Sequence, residues 1–142
     1  MQRLSTTLLL VAVASVSTAQ SRPKTVTGTY STPWKNEAGC NLQAEQLADS
    51  TRIHFAVDCN LGAPSYNMGF AEDTAVIIRN VAVWRTSEFS GNACELRMKF
   101  TRGLVIVKQN GSDADCGFGA HVYASGTYKR VSRAKPPFDY PP

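Results

Sequence analysis

The stretch from Ala93 to Arg130 constrains this chain most, because it combines two of the four cysteines with strand-like alternation. Near its start, Leu96, Met98 and Phe100 alternate with polar or charged residues. Successive side chains of a strand point to opposite faces, so this pattern predicts a strand with one apolar and one charged face. The stretch therefore indicates a sheet that covers an apolar core on one side.

A tight turn and a second strand follow in the same stretch. Arg102-Gly103 is a turn candidate, and Leu104–Gln109 is an apolar run rich in β-branched residues. Cys94 precedes the first strand and Cys116 follows the second. A hairpin folded at this turn brings both cysteines to one end, where a disulfide between them is geometrically easy.

The first and last predicted strands share a three-residue pattern. Thr25–Ser31 carries Gly28-Thr29-Tyr30, and Ala120–Val131 carries Gly126-Thr127-Tyr128. Glycine inside a strand often marks a close approach of two backbones. Matching glycines in the terminal strands favour their pairing, which would close the sheet and remove its edges.

The N-terminal residues 1–19 have the pattern of a signal peptide. Arg3 gives a short positive region, Leu8–Val16 is apolar, and Ser17-Thr18-Ala19 places small residues before a cleavage site at Gln20. The apolar run is shorter than the roughly 20 residues that a membrane span needs. We therefore expect an exported chain, periplasmic or secreted, with one domain over 20–132 and a Pro-rich tail over 133–142.

Four cysteines in an exported chain indicate two disulfides, for which three connectivities exist. Residues 41–48 read as a strand or a short helix, and we prefer the strand because 51–59 alternates cleanly after a turn at Asp49-Ser50. A hairpin centred on that turn places Cys40 opposite Cys59. The favoured pairs are thus Cys40–Cys59 and Cys94–Cys116.

Two further apolar runs, Thr74–Arg79 and Val81–Thr86, are either two strands or one long strand interrupted at Asn80. The whole pattern gives seven or eight short strands without a convincing helix. It predicts an all-β fold with two disulfides. A small antiparallel meander barrel is preferred and a β-sandwich is the alternative.

Catalytic and cofactor motifs are absent from the sequence. It holds no G-x-S-x-G elbow, H-E-x-x-H helix, Walker loop or dinucleotide fingerprint, and no C-x-x-C pair for zinc. His54 and His121 fall on polar strand faces, and oxidised cysteines leave no thiol nucleophile. We therefore expect a protein that is not an enzyme and that needs neither cofactor nor metal.

The formal net charge is +4, and two groups of neighbouring basic residues occur in the sequence. Arg97, Lys99 and Arg102 line one strand, and a second group lies near the C-terminus. A nucleic-acid patch would need interleaved exposed aromatic residues. We interpret both groups as solvated surface and expect no nucleic-acid partner.

The loop around residues 110–120 is the candidate partner-binding segment. A disulfide-braced loop at the mouth of a barrel is a common place for a partner contact. Phe118 could anchor a partner or plug the end of the barrel. The candidate contact residues are Asp113, Asp115, Phe118, His121 and Tyr123.

Three segments, V-x-V-x-Q-x-G from Val105, D-C-G-F-G from Asp115 and A-S-G-T-Y-K-R from Ala124, resemble a class of small exported bacterial proteins. The general plan also resembles the periplasmic and membrane-bound inhibitors of c-type lysozyme. That resemblance implies a small antiparallel barrel that inserts loop residues into the lysozyme cleft. Ser125-Gly126-Thr127-Tyr128 is one residue shorter than the S-G-x-x-Y motif of that family, and the lipid-attachment cysteine of the membrane-bound type is missing.

Lysozyme is cationic, so an inhibitor is expected to present acidic surface, which here would come from Asp113 and Asp115. We therefore expect a monomeric, non-enzymatic binding protein whose partner is a protein, with lysozyme or another cell-wall hydrolase as the specific hypothesis. Alternatives are a small-ligand carrier and an envelope or secreted structural protein. Bulky inward residues (Phe55, Met98, Phe100 and Tyr128) argue against an interior ligand pocket.

Overall fold

The computed structural model of the protein describes residues 25–138, and the predicted signal peptide lies outside them. It shows an all-β fold of eight strands, with one short 3-10 turn at Ala114–Cys116. No helix within residues 25–138 has the length and apolar character needed to cross a membrane. The strands are β1 (Gly28–Ser31), β2 (Gly39–Gln46), β3 (Arg52–Asn60), β4 (Met68–Ile78), β5 (Val81–Thr86), β6 (Cys94–Thr101), β7 (Leu104–Asn110) and β8 (Gly126–Ser132).

The strands form a closed antiparallel meander barrel, in which each strand pairs with the next along the chain. The ring is closed by β1 and β8, with Tyr30 opposite Arg130. A Cβ atom on Gly28 would lie 2.3 Å from the carbonyl oxygen of Ser132, so only glycine permits this close approach of the two strands. The predicted barrel, with its first and last strands paired, is confirmed.

Side chains from every strand fill the interior of the barrel. Alternate residues point inward, as a strand requires, and the largest of them are completely or almost completely buried. Phe55 and Tyr128 are 0% exposed, Met98 is 1% exposed and Phe100 is 4% exposed, in agreement with the sequence prediction. The other large residues of this core are Tyr30, Leu42, Ile53, Val57, Leu96 and Val105.

Both predicted disulfides are present and lie at the same end of the barrel. Cys40 and Cys59 are direct cross-strand neighbours on β2 and β3, with a Cα–Cα distance of 4.1 Å. Cys94 at the start of β6 is bonded to Cys116 in the 3-10 turn, with a Cα–Cα distance of 5.1 Å. Two disulfides are typical of proteins that fold outside the reducing cytoplasm.

The structure decides one open strand alternative and corrects the start of one predicted strand. The runs on either side of Asn80 are separate strands of a tight hairpin, because Arg79 and Asn80 both have positive φ values, 50° and 66°. Two such residues reverse the chain in a two-residue turn. The last strand begins only at Gly126, and residues 120–125 belong to a loop whose Val122 and Ala124 are nevertheless buried.

The barrel wall is incomplete between β4 and β5, which pair only over Val76–Ile78. The loop of residues 111–125 covers part of this opening. The Gly119 N–H donates a hydrogen bond to the Met68 carbonyl at 2.9 Å. Loop 111–125 is therefore part of the barrel wall as well as a surface segment. A second contact across the opening joins β5 to β4, where the Trp84 indole N–H donates to the Asp73 carboxylate at 2.8 Å.

The start of the Pro-rich tail lies over the outer face of β2 and β3. The Phe138 ring stacks on His54 with a centroid distance of 4.0 Å, and its N–H donates to the Gln43 side chain at 3.0 Å. Lys135 forms an ion pair with Glu45 at 2.9 Å. Residues 133–138 of the tail thus lie along the outer wall of the barrel, and residues 139–142 lie outside those described.

The two ends of the barrel differ in the length of their connections and in their disulfides, and we call them the braced end and the basic end. The braced end carries both disulfides and four long loops, residues 32–38, 61–67, 87–93 and 111–125. The basic end carries short connections and the entry and exit of the chain, residues 25–27, 47–51, 79–80, 102–103 and 133–135.

Candidate functional site

Hydrogen bonds join the four loops of the braced end into one surface. The Tyr66 hydroxyl donates a hydrogen bond to the Glu37 carboxylate of the neighbouring loop, and this bond raises the pKa of Tyr66 above its ordinary value. The Asn67 side-chain amide donates to the Ala120 carbonyl at 2.9 Å. Loop 61–67 is thus tied on one side to loop 32–38 and on the other to loop 111–125.

Asp115 ties loop 87–93 to loop 111–125. Its carboxylate accepts hydrogen bonds from the Ser90 hydroxyl at 2.5 Å, the Ser112 N–H at 2.8 Å and the Asn92 amide at 3.3 Å. These donors, that of Ser90 first, hold the pKa of Asp115 well below its ordinary range. Asp115, predicted as a contact residue, therefore also holds the two loops together, and it keeps its negative charge at neutral pH.

Asp113 has a similar role within its own loop. It accepts from the His121 N–H at 2.5 Å and from the Ala114 N–H at 2.7 Å. The His121 N–H is the larger cause of a pKa below the ordinary value. His121 itself is exposed, with a φ of 66°, and Asp113 holds it in this left-handed conformation.

Phe118 does not belong to the exposed surface. It is only 6% exposed and packs beneath Gly69, where an added Cβ would lie 2.7 Å from the Phe118 ring. Of the two sequence-based alternatives, the structure has the one in which Phe118 plugs the end of the barrel. We therefore remove Phe118 from the candidate contact residues, whereas Tyr123 remains exposed at 51%.

Three further aromatic residues at the braced end were missed by the sequence analysis. Each of the four loops contributes one half-exposed aromatic side chain. The available signal was a large aromatic residue within a polar, Pro-, Gly- or Ser-containing loop. The four residues and their exposures are Trp34 (46%), Tyr66 (51%), Phe89 (56%) and Tyr123 (51%).

Two of these aromatic side chains are held against glycine backbone. The Trp34 ring covers Gly39, where an added Cβ would lie 2.6 Å from it, and its indole N–H donates to Ser31 at 3.0 Å. The Phe89 ring covers Gly117 at the same distance, 2.6 Å. Rings that are fixed before binding lose little conformational entropy when a partner covers them.

A shallow depression of about 330 Å³ lies at the braced end. It is bordered by Leu61 and Tyr123, and the Cys40–Cys59 bond forms part of its floor. The shape and lining of this depression suit a protruding side chain of a protein partner. A small-molecule ligand fits it less well, because small-molecule pockets are usually enclosed.

The loops of the braced end carry an excess of negative charge although the whole chain is basic. Lys35 is the single Lys or Arg in these loops, which hold four carboxylates. Since Asp113 and Asp115 have lowered pKa values, they remain ionised at neutral pH. The four acidic residues are Glu37, Glu88, Asp113 and Asp115.

Residues 25–138 hold no cluster of three or more His, Cys, Asp or Glu that could bind a metal ion. His54 and Glu72 are 2.8 Å apart on the outer wall, under Phe138 and away from the braced end. What the braced end offers chemically is a rigid, aromatic and acidic contact surface.

Comparison with protein-family models, with curated proteins and with solved structures finds no match to this chain.

Proposed function

We propose that the protein is an exported, non-enzymatic binding protein whose braced end docks on a protein partner. The observation that carries this proposal is the convergence of four half-exposed aromatic side chains, one from each loop, on a single end of the barrel. Aromatic residues are enriched at the energetic centres of protein interfaces. Disulfides and inter-loop hydrogen bonds support the proposal because they fix the surface before it binds.

The charge of the braced end favours a cationic partner. Its loops hold four carboxylates and one lysine, so their potential complements a basic surface. Lysozymes are cationic, and the sequence resembles lysozyme inhibitors in its general plan. We therefore propose that the partner is a lysozyme or another cell-wall hydrolase, met in the periplasm or outside the cell.

The test is a lysis assay with the oxidised chain from Gln20 onward. It is titrated against c-, g- and i-type lysozymes on bacterial cell walls, and we expect one type to be inhibited at stoichiometric protein. Tyr123→Ala should weaken inhibition about 30-fold, the effect of losing roughly 2 kcal/mol of binding energy. Val131→Ala, an exposed residue on the last strand near the basic end, is the matched control and should inhibit like the wild type.

A second variant tests the role of charge. Glu88 is exposed and its carboxylate has no ion-pair partner within residues 25–138, so Glu88→Gln removes charge without disturbing the loop. We expect slower association at low salt and little difference at high salt. Absence of inhibition of every lysozyme type, at low and physiological salt, would refute the hydrolase part of the proposal.

A further inference from the structure

The basic end contains a pocket whose charge the described part of the chain does not neutralise. A depression of about 230 Å³ opens there between the turns and the chain exit. No acidic residue is among those that line it, and three arginines are: Arg102, Arg130 and Arg133. No carboxylate within residues 25–138 lies at ion-pair distance from any of the three.

Arg130 is held in place by neutral acceptors alone. Its guanidinium donates to the Thr25 carbonyl at 3.0 Å and, through two nitrogens, to the Tyr30 hydroxyl. It also lies over the Tyr30 ring, 5.0 Å from the centroid. These contacts fix the orientation of the Arg130 side chain without neutralising its positive charge, so the pocket has the charge needed to bind an anion.

Two exposed aliphatic side chains lie at the same end of the barrel as the basic pocket. Ile78 and Val131 are 67% and 66% exposed, the highest values among the large hydrophobic residues of the described part. Val131 lines a small depression together with Arg130 and Arg133. Ile78 ends β4 just before the Arg79-Asn80 turn, whose Asn80 lines the basic pocket, and it lies in a separate apolar depression with Val76, Val81 and Val83. A soluble anion would contact only the arginines, whereas a lipid interfacial layer would also cover these aliphatic side chains.

We propose that the basic end docks on an anionic lipid surface. Arg102, Arg130 and Arg133 would hold a lipid phosphate, and Ile78 and Val131 would enter the interfacial layer beside it. Cations next to exposed aliphatic side chains match the phosphate-and-hydrocarbon composition of that layer. The proposal is independent of the proposed function because it concerns the opposite end of the barrel.

Other occupants fit the basic end less well. A single-stranded nucleic acid would need exposed aromatic platforms, and the four half-exposed rings lie at the braced end. A second copy of the chain would bring one group of arginines against another, and like charges repel across an interface. Charge complementarity and the exposed aliphatic side chains together favour the lipid surface.

The test is sedimentation of the oxidised chain from Gln20 onward with large vesicles. One set contains equal parts of phosphatidylglycerol and phosphatidylcholine, and the other contains phosphatidylcholine alone. We expect binding to the anionic vesicles only, weakening as the ionic strength rises. Arg102→Gln/Arg133→Gln should weaken it about 25-fold, which is about fivefold for each cation. Ile78→Ser/Val131→Ser should weaken it about tenfold at every salt concentration.

Matched controls separate the basic end from general surface effects. Lys35→Gln/Lys108→Gln removes the same charge from exposed positions outside the basic end, and Leu61→Ser/Met68→Ser removes exposed apolar side chains at the braced end. Both should bind the anionic vesicles within twofold of the wild type. Arg130 is left unchanged because its hydrogen bonds hold Tyr30, and a thermal melt of each variant serves to check that it is folded.

Three outcomes would overturn the proposal. The first is equal binding to the neutral vesicles, and the second is binding by Arg102→Gln/Arg133→Gln within twofold of the wild type. The third is a rise in Tm with inorganic phosphate, lost in the arginine variant, while vesicles do not bind. That third result would assign the pocket to a soluble anion instead of a lipid surface.

Discussion

Tyr30 and Tyr128 occupy corresponding positions at the two ends of the barrel. Each follows a Gly-Thr pair, is 0% exposed, and donates its hydroxyl at 2.7 Å to the carbonyl of the residue four positions earlier, Val26 or Ala124. Burial raises the pKa of both, and in Tyr30 the neighbouring Arg130 partly opposes this rise. The same tyrosine contact thus holds the chain entering β1 at the basic end and the chain entering β8 at the braced end.

The surroundings of the two tyrosines differ. At the basic end the Tyr30 hydroxyl also accepts from Arg130, so the contact supports a charged pocket. At the braced end the Tyr128 hydroxyl lies 3.8 Å from the sulfur of Cys59, next to a disulfide. Short turns allow the basic end to do without covalent links, whereas four long loops at the braced end need disulfides and carboxylates to hold one conformation.

Phe118→Ala should be the largest single perturbation of the braced end. It removes a ring that closes the barrel beneath Gly69, and such truncations cost about 3–5 kcal/mol of unfolding free energy. Phe89→Ala, at an exposed ring in the adjacent loop, should cost less than about 1 kcal/mol. Urea denaturation of both variants measures the difference, and equal losses would show that Phe118 is not a core residue.

Removal of either disulfide should come next in size. The bonds span sequence separations of 19 and 22 residues, so chain entropy assigns each about 3 kcal/mol. Cys94→Ala/Cys116→Ala should also speed amide exchange in residues 111–125, because it frees the loop that Asp113 and Asp115 organise. Cys40→Ala/Cys59→Ala should leave that exchange slow, since hydrogen bonds already pair β2 with β3. The same exchange pattern in both variants would contradict this distinction.

The paired variants Tyr30→Phe and Tyr128→Phe compare the two ends directly. Tyr30→Phe leaves both the Val26 carbonyl and part of the Arg130 guanidinium without a partner, and should cost about 2 kcal/mol. Tyr128→Phe removes a single neutral hydrogen bond and should cost about 1 kcal/mol. Unfolding free energies that fall in the reverse order would refute the assigned role of Arg130.

Asp115→Asn should give the smallest effect, and one that depends on pH. The pKa of Asp115 is lowered in the folded protein, so its carboxylate stabilises the fold above the unfolded pKa of about 4 and loses that contribution as the pH falls further. We expect the variant to have a lower Tm than the wild type at neutral pH, with the two melting curves converging in acid. A Tm difference that stays constant down to strongly acid pH would show that the Asp115 charge has no role.

The local pattern of this sequence predicted much of the fold correctly. Alternation with period two placed Phe55, Met98 and Tyr128 in the core, and the spacing of each cysteine about its hairpin gave both disulfides. The repeated Gly-Thr-Tyr correctly indicated that the terminal strands close the barrel. The sequence left open whether the runs around Asn80 form one strand or two, because neither Arg79 nor Asn80 is glycine, although both have positive φ values.

The sequence by itself determined which side chains face the core, because that depends on neighbouring residues along a strand. It also determined the cysteine pairing, since register follows from the position of a turn. Only the tertiary structure decided that Phe118 plugs the barrel, that four separate loops bring their aromatic rings to one end, and that three arginines share a pocket at the other. These arrangements join residues far apart in the chain, and they depend on the path of each loop in three dimensions, which no local pattern encodes.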